Sequence, residues 1–171
     1  MTSLDQSKIA DLLERAGREV DDGLLPSCQI ALGYGGEVVA EAVFGEATLD
    51  SRYVIFSATK PFVAATIWTL IAEGKVEPAE RVVTYFPEFG GEGKGDITVE
   101  QVMLHTSGFP HAPMGPSVWG GRDARKARMA SWRLNWEPGT RFEYHPTSAH
   151  WVLAEIIDAV TGNDFRDEVE L

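Results

Sequence analysis

A serine and a lysine stand three residues apart in Phe56-Ser57-Ala58-Thr59-Lys60-Pro61. On a helix, residues i and i+3 share a face, so the Lys60 amine lies within reach of the Ser57 hydroxyl. A hydroxyl is a weak nucleophile at neutral pH, and a neutral amine that accepts its proton makes it a usable one. The run 62–74 that follows is apolar nearly all round, the pattern of a helix buried on most sides, so Lys60 is expected to enter a core. Desolvation disfavours the charged form and lowers a lysine from its ordinary ~10.4, which is how a lysine becomes a base near neutrality. Pro61 lacks an N–H and is tolerated only in a helix's first turn, which keeps Ser57 at the N-terminal end, where backbone N–H groups favour developing negative charge. Taken alone, the same spacing describes a helix-capping serine and a snorkelling lysine in many chains, so its context must decide.

The elements around this pair read as follows. Ser3-Leu4-Asp5-Gln6 is a capping box, and Ile9, Leu12, Leu13, Ala16 and Val20 recur at helical spacing, so a first helix is expected from Leu4 to Asp22, ending before Gly23. Gln29 to Tyr34 and Glu37 to Phe44 read as two strands joined by Gly35-Gly36, a pair suited to a two-residue hairpin turn. The only further strand in prospect is a short one from Arg141 to Tyr144, so the sheet looks unfinished. A helical turn is expected around 80–85, and Thr98-Val99-Glu100-Gln101 is a second capping box opening a short helix to Leu104. Gly90 to Gly95 reads as a flexible surface loop; its spacing and flanks fail the requirements of a phosphate loop. A long Gly, Pro, Met and Trp loop to Gly121 reads as packing over a cleft. A basic helix follows from Arg122 to Trp132, whose Arg122, Arg125, Lys126 and Arg128 are read as a solvated face. Another runs from Ser148 to Val160 and stops at Gly162, and Asn163 or Asp164 caps a last one.

At 171 residues the chain could be one domain burying about two thirds of its unfolded surface. Fifteen basic against twenty-six acidic residues leave a net charge of −11, which argues against nucleic acid and against anionic membranes as partners. The single cysteine, Cys28, excludes an internal disulfide and Cys-based metal motifs. With no basic-plus-apolar leader and no apolar run of about 18 residues, a cytoplasmic location is the expectation. His105 and His111 belong to loops, and His145 and His150 are not two ligands on one helical face with a third in sight, so all four histidines are read as structural. No metal and no cofactor are implied.

Together these stretches resemble the serine β-lactamase and penicillin-binding-protein superfamily, in the branch of class C β-lactamases and their esterase relatives. Three blocks carry the resemblance: 56–61 with Ser57 and Lys60; Ile97 to Gly108 with His105-Thr106-Ser107-Gly108; and Trp136-Glu137-Pro138-Gly139 through Tyr144 to Gly162. Ser-x-x-Lys is a motif of these enzymes. The resemblance implies that Ser57 attacks an amide or ester carbonyl to form an acyl-enzyme. Lys60 is then proton acceptor or partner to a second base. Tyr144 matches the tyrosine of a Tyr-x-Asn element that shares the proton traffic; its phenol, near 10 when free, needs a cation such as Lys60 nearby to act as an anionic base. Read alone, Tyr144 is a packed aromatic. The asparagine position holds Pro146, with Thr147 or Ser148 as substitutes or as helix caps. That departure favours an esterase or peptidase relative over a conventional β-lactamase.

Members of the superfamily continue through strands that complete the sheet and carry a Lys-Thr-Gly or His-x-Gly element beside the serine, and nothing in this sequence matches it. Losing one donor of an oxyanion hole costs on the order of a hundredfold in rate. The expected fold is therefore α+β and β-lactamase/transpeptidase-like, a helical cluster on a mostly antiparallel sheet that is incomplete in this chain. Residues 1–171 are expected to form the N-terminal part of one domain, with a helix and hairpin over 1–52 and a mainly helical region over 53–171. The expected function is a serine hydrolase acting on a small-molecule ester or amide through an acyl-serine, whose open sheet edge needs a complementary C-terminal segment or a second chain. The alternatives are an inactive fragment or pseudoenzyme that serves as a binding module, and an acyltransferase.

Overall fold

The computed structural model describes residues 4–169, which fall into two compact units, one ending at Val54 and the other beginning at Ile55. In the first unit, α1 (Gln6–Asp21) is capped by Asp5, whose carboxylate accepts from the Ser7 and Lys8 N–H groups at 3.0 and 3.4 Å. The cap is thus two residues later than the box expected at Ser3, which lies outside the described residues. Beyond it, β1 (Ser27–Tyr34) and β2 (Glu37–Gly45) pair antiparallel, with Tyr34 opposite Glu37. Gly35 and Gly36 between them have φ of 62° and 86°, the pair of left-handed conformations that a tight hairpin of the right twist requires. Gly17 lies against the Phe44 ring, 3.1 Å from where a Cβ would stand, so its lack of a side chain lets α1 approach the hairpin closely.

The second unit is helical: α2 (Lys60–Ala72), α3 (Val82–Tyr85), α4 (Val99–Met103), α5 (Arg122–Ala130), α6 (Ser148–Thr161) and α7 (Phe165–Val169), with 3₁₀ turns at Phe56–Thr59, Pro87–Gly90 and Pro116–Val118. The Thr98–Gln101 capping box forms as expected, each side chain bonding the other residue's backbone N–H. No helix among the described residues is long and apolar enough to cross a membrane.

The core is centred on α6. From Ser148 to Asp158 nearly every residue is buried, with Val152, Leu153, Ile156 and Ile157 against Val82, Phe86, Val102 and Trp132. This corrects the expectation for α2, whose buried residues are Ile67 and Leu70 while Phe62 and Trp68 are 55% and 65% exposed. An all-round apolar helix can bury every face, but its neighbours decide how many it does bury, and within this unit α2 meets α6 and α7 along one side.

Three further expectations are corrected. The basic helix is not a solvated face: Arg125 is buried, donating to Asp158 at 3.0 Å and to the Trp119 carbonyl, and Arg122 donates to the buried Glu155 at 2.8 Å. Two carboxylates on a core helix require cations, and Arg122 and Arg125 share the three-residue spacing of Glu155 and Asp158. Second, the glycine-rich loop is not a free surface loop. Lys94 is fully buried and donates to the carbonyls of Gly91, Ala130 and Trp132 at 2.7, 3.0 and 2.6 Å. Third, residues 141–144 are not a strand. They bond to the loop after α4 rather than to a neighbouring strand, as in Glu143 N–H to the His105 carbonyl at 3.2 Å.

Candidate active site

Phe56 has φ 45°, in the left-handed region that a bulky residue rarely adopts, and it opens the 3₁₀ turn that carries Ser57. In 3₁₀ geometry residues i and i+3 eclipse, which sets Lys60 directly over Ser57. Ser57 thus lies on a turn ahead of α2 rather than inside it, with Pro61 in the helix's first turn as its missing N–H requires. Lys60 Nζ donates to Ser57 Oγ at 3.0 Å. Lys60 is half-buried rather than enclosed in a core, because the helix it starts is open on its outer side.

The third expected residue reaches the same oxygen from far along the chain. Tyr144 OH donates to Ser57 Oγ at 3.0 Å, and Lys60 Nζ lies 5.3 Å from the centre of its ring. Hydrogen bonding with Lys60, then with Ser57, holds the phenol below its ordinary value. The structure therefore brings Ser57, Lys60 and Tyr144 together within hydrogen-bond reach of one oxygen. That oxygen accepts from both neighbours.

What places Tyr144 is the loop 105–108. The Thr106 carbonyl accepts from Gly139 N–H at 2.9 Å and that of Gly108 from Asn135 N–H at 2.7 Å. His145 is wired into the same loop: its Nδ1 donates to the Glu143 carbonyl at 2.6 Å and its Nε2 accepts from Phe109 N–H at 3.1 Å, beside the Ser107 hydroxyl. Gly108 has φ 88°, and a Cβ there would stand 2.5 Å from the Trp136 carbonyl, so no side chain fits at this crossing.

Beside Lys60 a cavity of about 230 Å³ is lined mainly by apolar groups, among them Phe56, Val63, Pro146, Trp151, Ala154 and Phe165. Thr147 and His150 add polar atoms to its wall. Of the two residues considered in place of the missing asparagine, Ser148 is excluded: it is buried and donates to the Phe109 carbonyl at 2.9 Å. Thr147 makes no side-chain cap for α6 and lines the cavity. Burial, and then the Lys60 charge, push His150 down to about 4, so it is neutral near pH 7 and puts no second cation beside the lysine. The aromatic loop from Phe109 to Trp119 does not line this cavity. Phe109 is buried in the core and the Trp119 indole donates to Met114, because ring area on a loop is spent on the nearest apolar neighbour. Among the described residues no cluster of three or more metal-ligating side chains is found.

Sequence reasoning missed His105, His150 and the cavity wall. The histidines carry no spacing that marks them, and the left-handed φ of His105 and Phe56 cannot be read from residue type alone.

Comparison with known proteins bears on the family and the fold. The family model described as Beta-lactamase matches residues 10–170. Over 126 residues the chain is 31% identical to the esterase/beta-lactamase LipL of Mycobacterium tuberculosis, covering 68% of this chain and 27% of LipL. The solved structure of EstA from Arthrobacter nitroguajacolicus superposes with a TM-score of 0.83 at 27% identity, covering 95% of this chain and 44% of that one. A penicillin-binding-protein homolog from Caulobacter crescentus gives a TM-score of 0.79 at 28% identity over 96% of this chain and 47% of that one. The fold of the matched part is thus β-lactamase/transpeptidase-like, and the chain spans less than half the length of each of these relatives.

Proposed function

The chain belongs to the Beta-lactamase family, and on that premise we propose that it carries the acylation site of a serine hydrolase acting on a small ester with an apolar acyl group. The observation that carries the reading is the convergence of Lys60 Nζ and Tyr144 OH on Ser57 Oγ, each at 3.0 Å. Tyr144, ionised beside Lys60, takes the Ser57 proton as Oγ attacks the ester carbonyl. The resulting oxyanion collapses to an acyl-serine, and the proton passes to the departing alkoxide. Water then attacks the acyl-serine carbonyl, giving a proton to Tyr144; the C–Oγ bond breaks, Tyr144 returns that proton to Ser57 Oγ, and the acid is released. Pro146 offers no side-chain hydrogen bond to a substrate amide, and the cavity beside Lys60 is mostly apolar, which together favour an ester over an acylamino β-lactam.

The exposed aromatics Phe56, Phe62 and Trp68 support a further part of the proposal, that a complementary segment or second chain covers this side of α2 and supplies the remaining oxyanion donor. The proposed compartment is the cytoplasm, in keeping with a single cysteine; cell fractionation tests it. The test of the chemistry is intact-mass measurement after incubation with a fluorophosphonate, alone and with the complementary segment of a relative. One adduct on Ser57, lost in Ser57→Ala and Lys60→Met while both variants keep the parent's circular dichroism, is the expected result. No adduct under either condition would leave a binding module in place of an enzyme, and transfer of the acyl group to an added alcohol would reassign the second half-reaction.

A further inference from the structure

Tyr144 stands on a segment with no regular secondary structure, yet its phenol must hold one oxygen of another element to within a few tenths of an ångström. One residue bonds the backbone on both sides of it. The His105 carbonyl accepts from Glu143 N–H at 3.2 Å, and His105 Nδ1 accepts from His145 N–H at 3.2 Å. Between these two bonds the imidazole meets the Tyr144 ring edge-on, centroids 5.1 Å apart at 63°. His105 has φ 58°, and of the three non-glycine residues with positive φ among those described, two, Phe56 and His105, are at this site. A left-handed backbone is uncommon outside glycine, although histidine takes it more readily than most residues, and such conformations gather at functional sites.

We propose that His105 is a positioning residue for Tyr144, its carbonyl and ring nitrogen clamping positions 143 and 145 while its ring fixes the phenol on Ser57. The proposal rests on the reading of Tyr144 as the group that takes the Ser57 proton. It requires Nδ1 to be an unprotonated acceptor, so the ring proton is on Nε2. The groups facing the phenol are Lys60 and Ser57 from the turn ahead of α2 and His105 from the loop after α4. The nearby Glu143 is occupied by Arg141 at 2.8 Å and His111 at 3.1 Å, and His150 of α6 faces Lys60 and His105.

Two substitutions separate a clamp from a mere core contact. Glycine adopts the left-handed φ freely and so keeps the fold while removing acceptor and ring, whereas asparagine tolerates that φ and returns an acceptor oxygen. Two readouts apply: the second-order rate of fluorophosphonate addition to Ser57, and the titration of the Tyr144 phenol by carbon NMR of ring-labelled tyrosine, assigned with Tyr144→Phe. We expect His105→Gly to slow addition by roughly 10–100-fold, the scale of a misplaced catalytic group, and His105→Asn to recover most of it. In the Tyr144→Phe background His105→Gly should change the rate by less than about twofold, since coupled groups do not add. The phenol should titrate closer to its ordinary ~10 in His105→Gly and return towards the parent value in His105→Asn. Equal glycine penalties with and without Tyr144, or an unmoved phenol titration, overturns the clamp. If the parent protein takes no adduct, the hydrolase reading fails by itself, and the phenol titration alone decides for or against His105.

Discussion

The buried lysine of the glycine-rich loop gives the sharpest stability test. Lys94→Met keeps the chain length and nearly the volume of the side chain but removes the ammonium. The carbonyls of Gly91, Ala130 and Trp132, held at 2.7, 3.0 and 2.6 Å, then lose their common donor. A hydrogen bond from a charged group contributes about 1.5–3 kcal/mol, and three of them are offset by the several kcal/mol that desolvating an ammonium costs. Methionine relieves the second term but leaves three neutral acceptors inside the protein facing a thioether, at about 1–3 kcal/mol each, so the expected net loss is about 2–4 kcal/mol. Urea unfolding followed by tryptophan fluorescence reads this directly, because Trp132 is both a core residue and one of the three acceptors. Lys75→Met is the control: that lysine pairs with Glu73 at 2.7 Å with about half of each side chain in solvent, and the change should leave the unfolding midpoint nearly unmoved. Equal midpoints for the two variants would show that the lysine is a passenger and that the loop closes without it.

Other outcomes follow from the buried polar groups. Asp158→Asn should cost about 3–5 kcal/mol by leaving Arg125 buried without its partner, whereas replacing both residues with apolar ones of similar volume should cost less; the same unfolding assay compares them. Burial holds His105, His145 and His150 below their ordinary values, so each binds its proton more readily unfolded than folded. The stability they contribute is present above the unfolded ~6.5 and is lost as pH falls towards the folded values, about 4 for His150. Unfolding free energies measured across that window should fall with acid, and His150→Gln should flatten the slope.

Much of this was open to inspection in the residue types. Capping at Thr98, the glycine pair of the hairpin and the order of the helices follow from local rules, and Ser57, Lys60 and Tyr144 were nameable because a hydroxyl, an amine and a phenol in that order match a known motif. Burial was harder. The run 62–74 reads as a core helix because apolarity states what a helix can cover, while the number of its neighbours is a property of the whole assembly. Arg122 and Arg125 looked like solvent residues because their partners, Glu155 and Asp158, are 33 positions away, although the matched spacing of the two pairs was available as a signal. Backbone handedness was not readable at all where the residue is a phenylalanine or a histidine, and both such places are in the site.

Ser57 rides on the 3₁₀ turn Phe56–Thr59, and Lys60 is the first residue of the thirteen-residue helix that follows. The backbone passes from one to the other without a break: Thr59 and Lys60 are both right-handed, and the Lys60 N–H bonds the Ser57 carbonyl. Hydroxyl and amine therefore hang from one stiff spiral, and their spacing is inherited from its winding rather than from any contact across the chain.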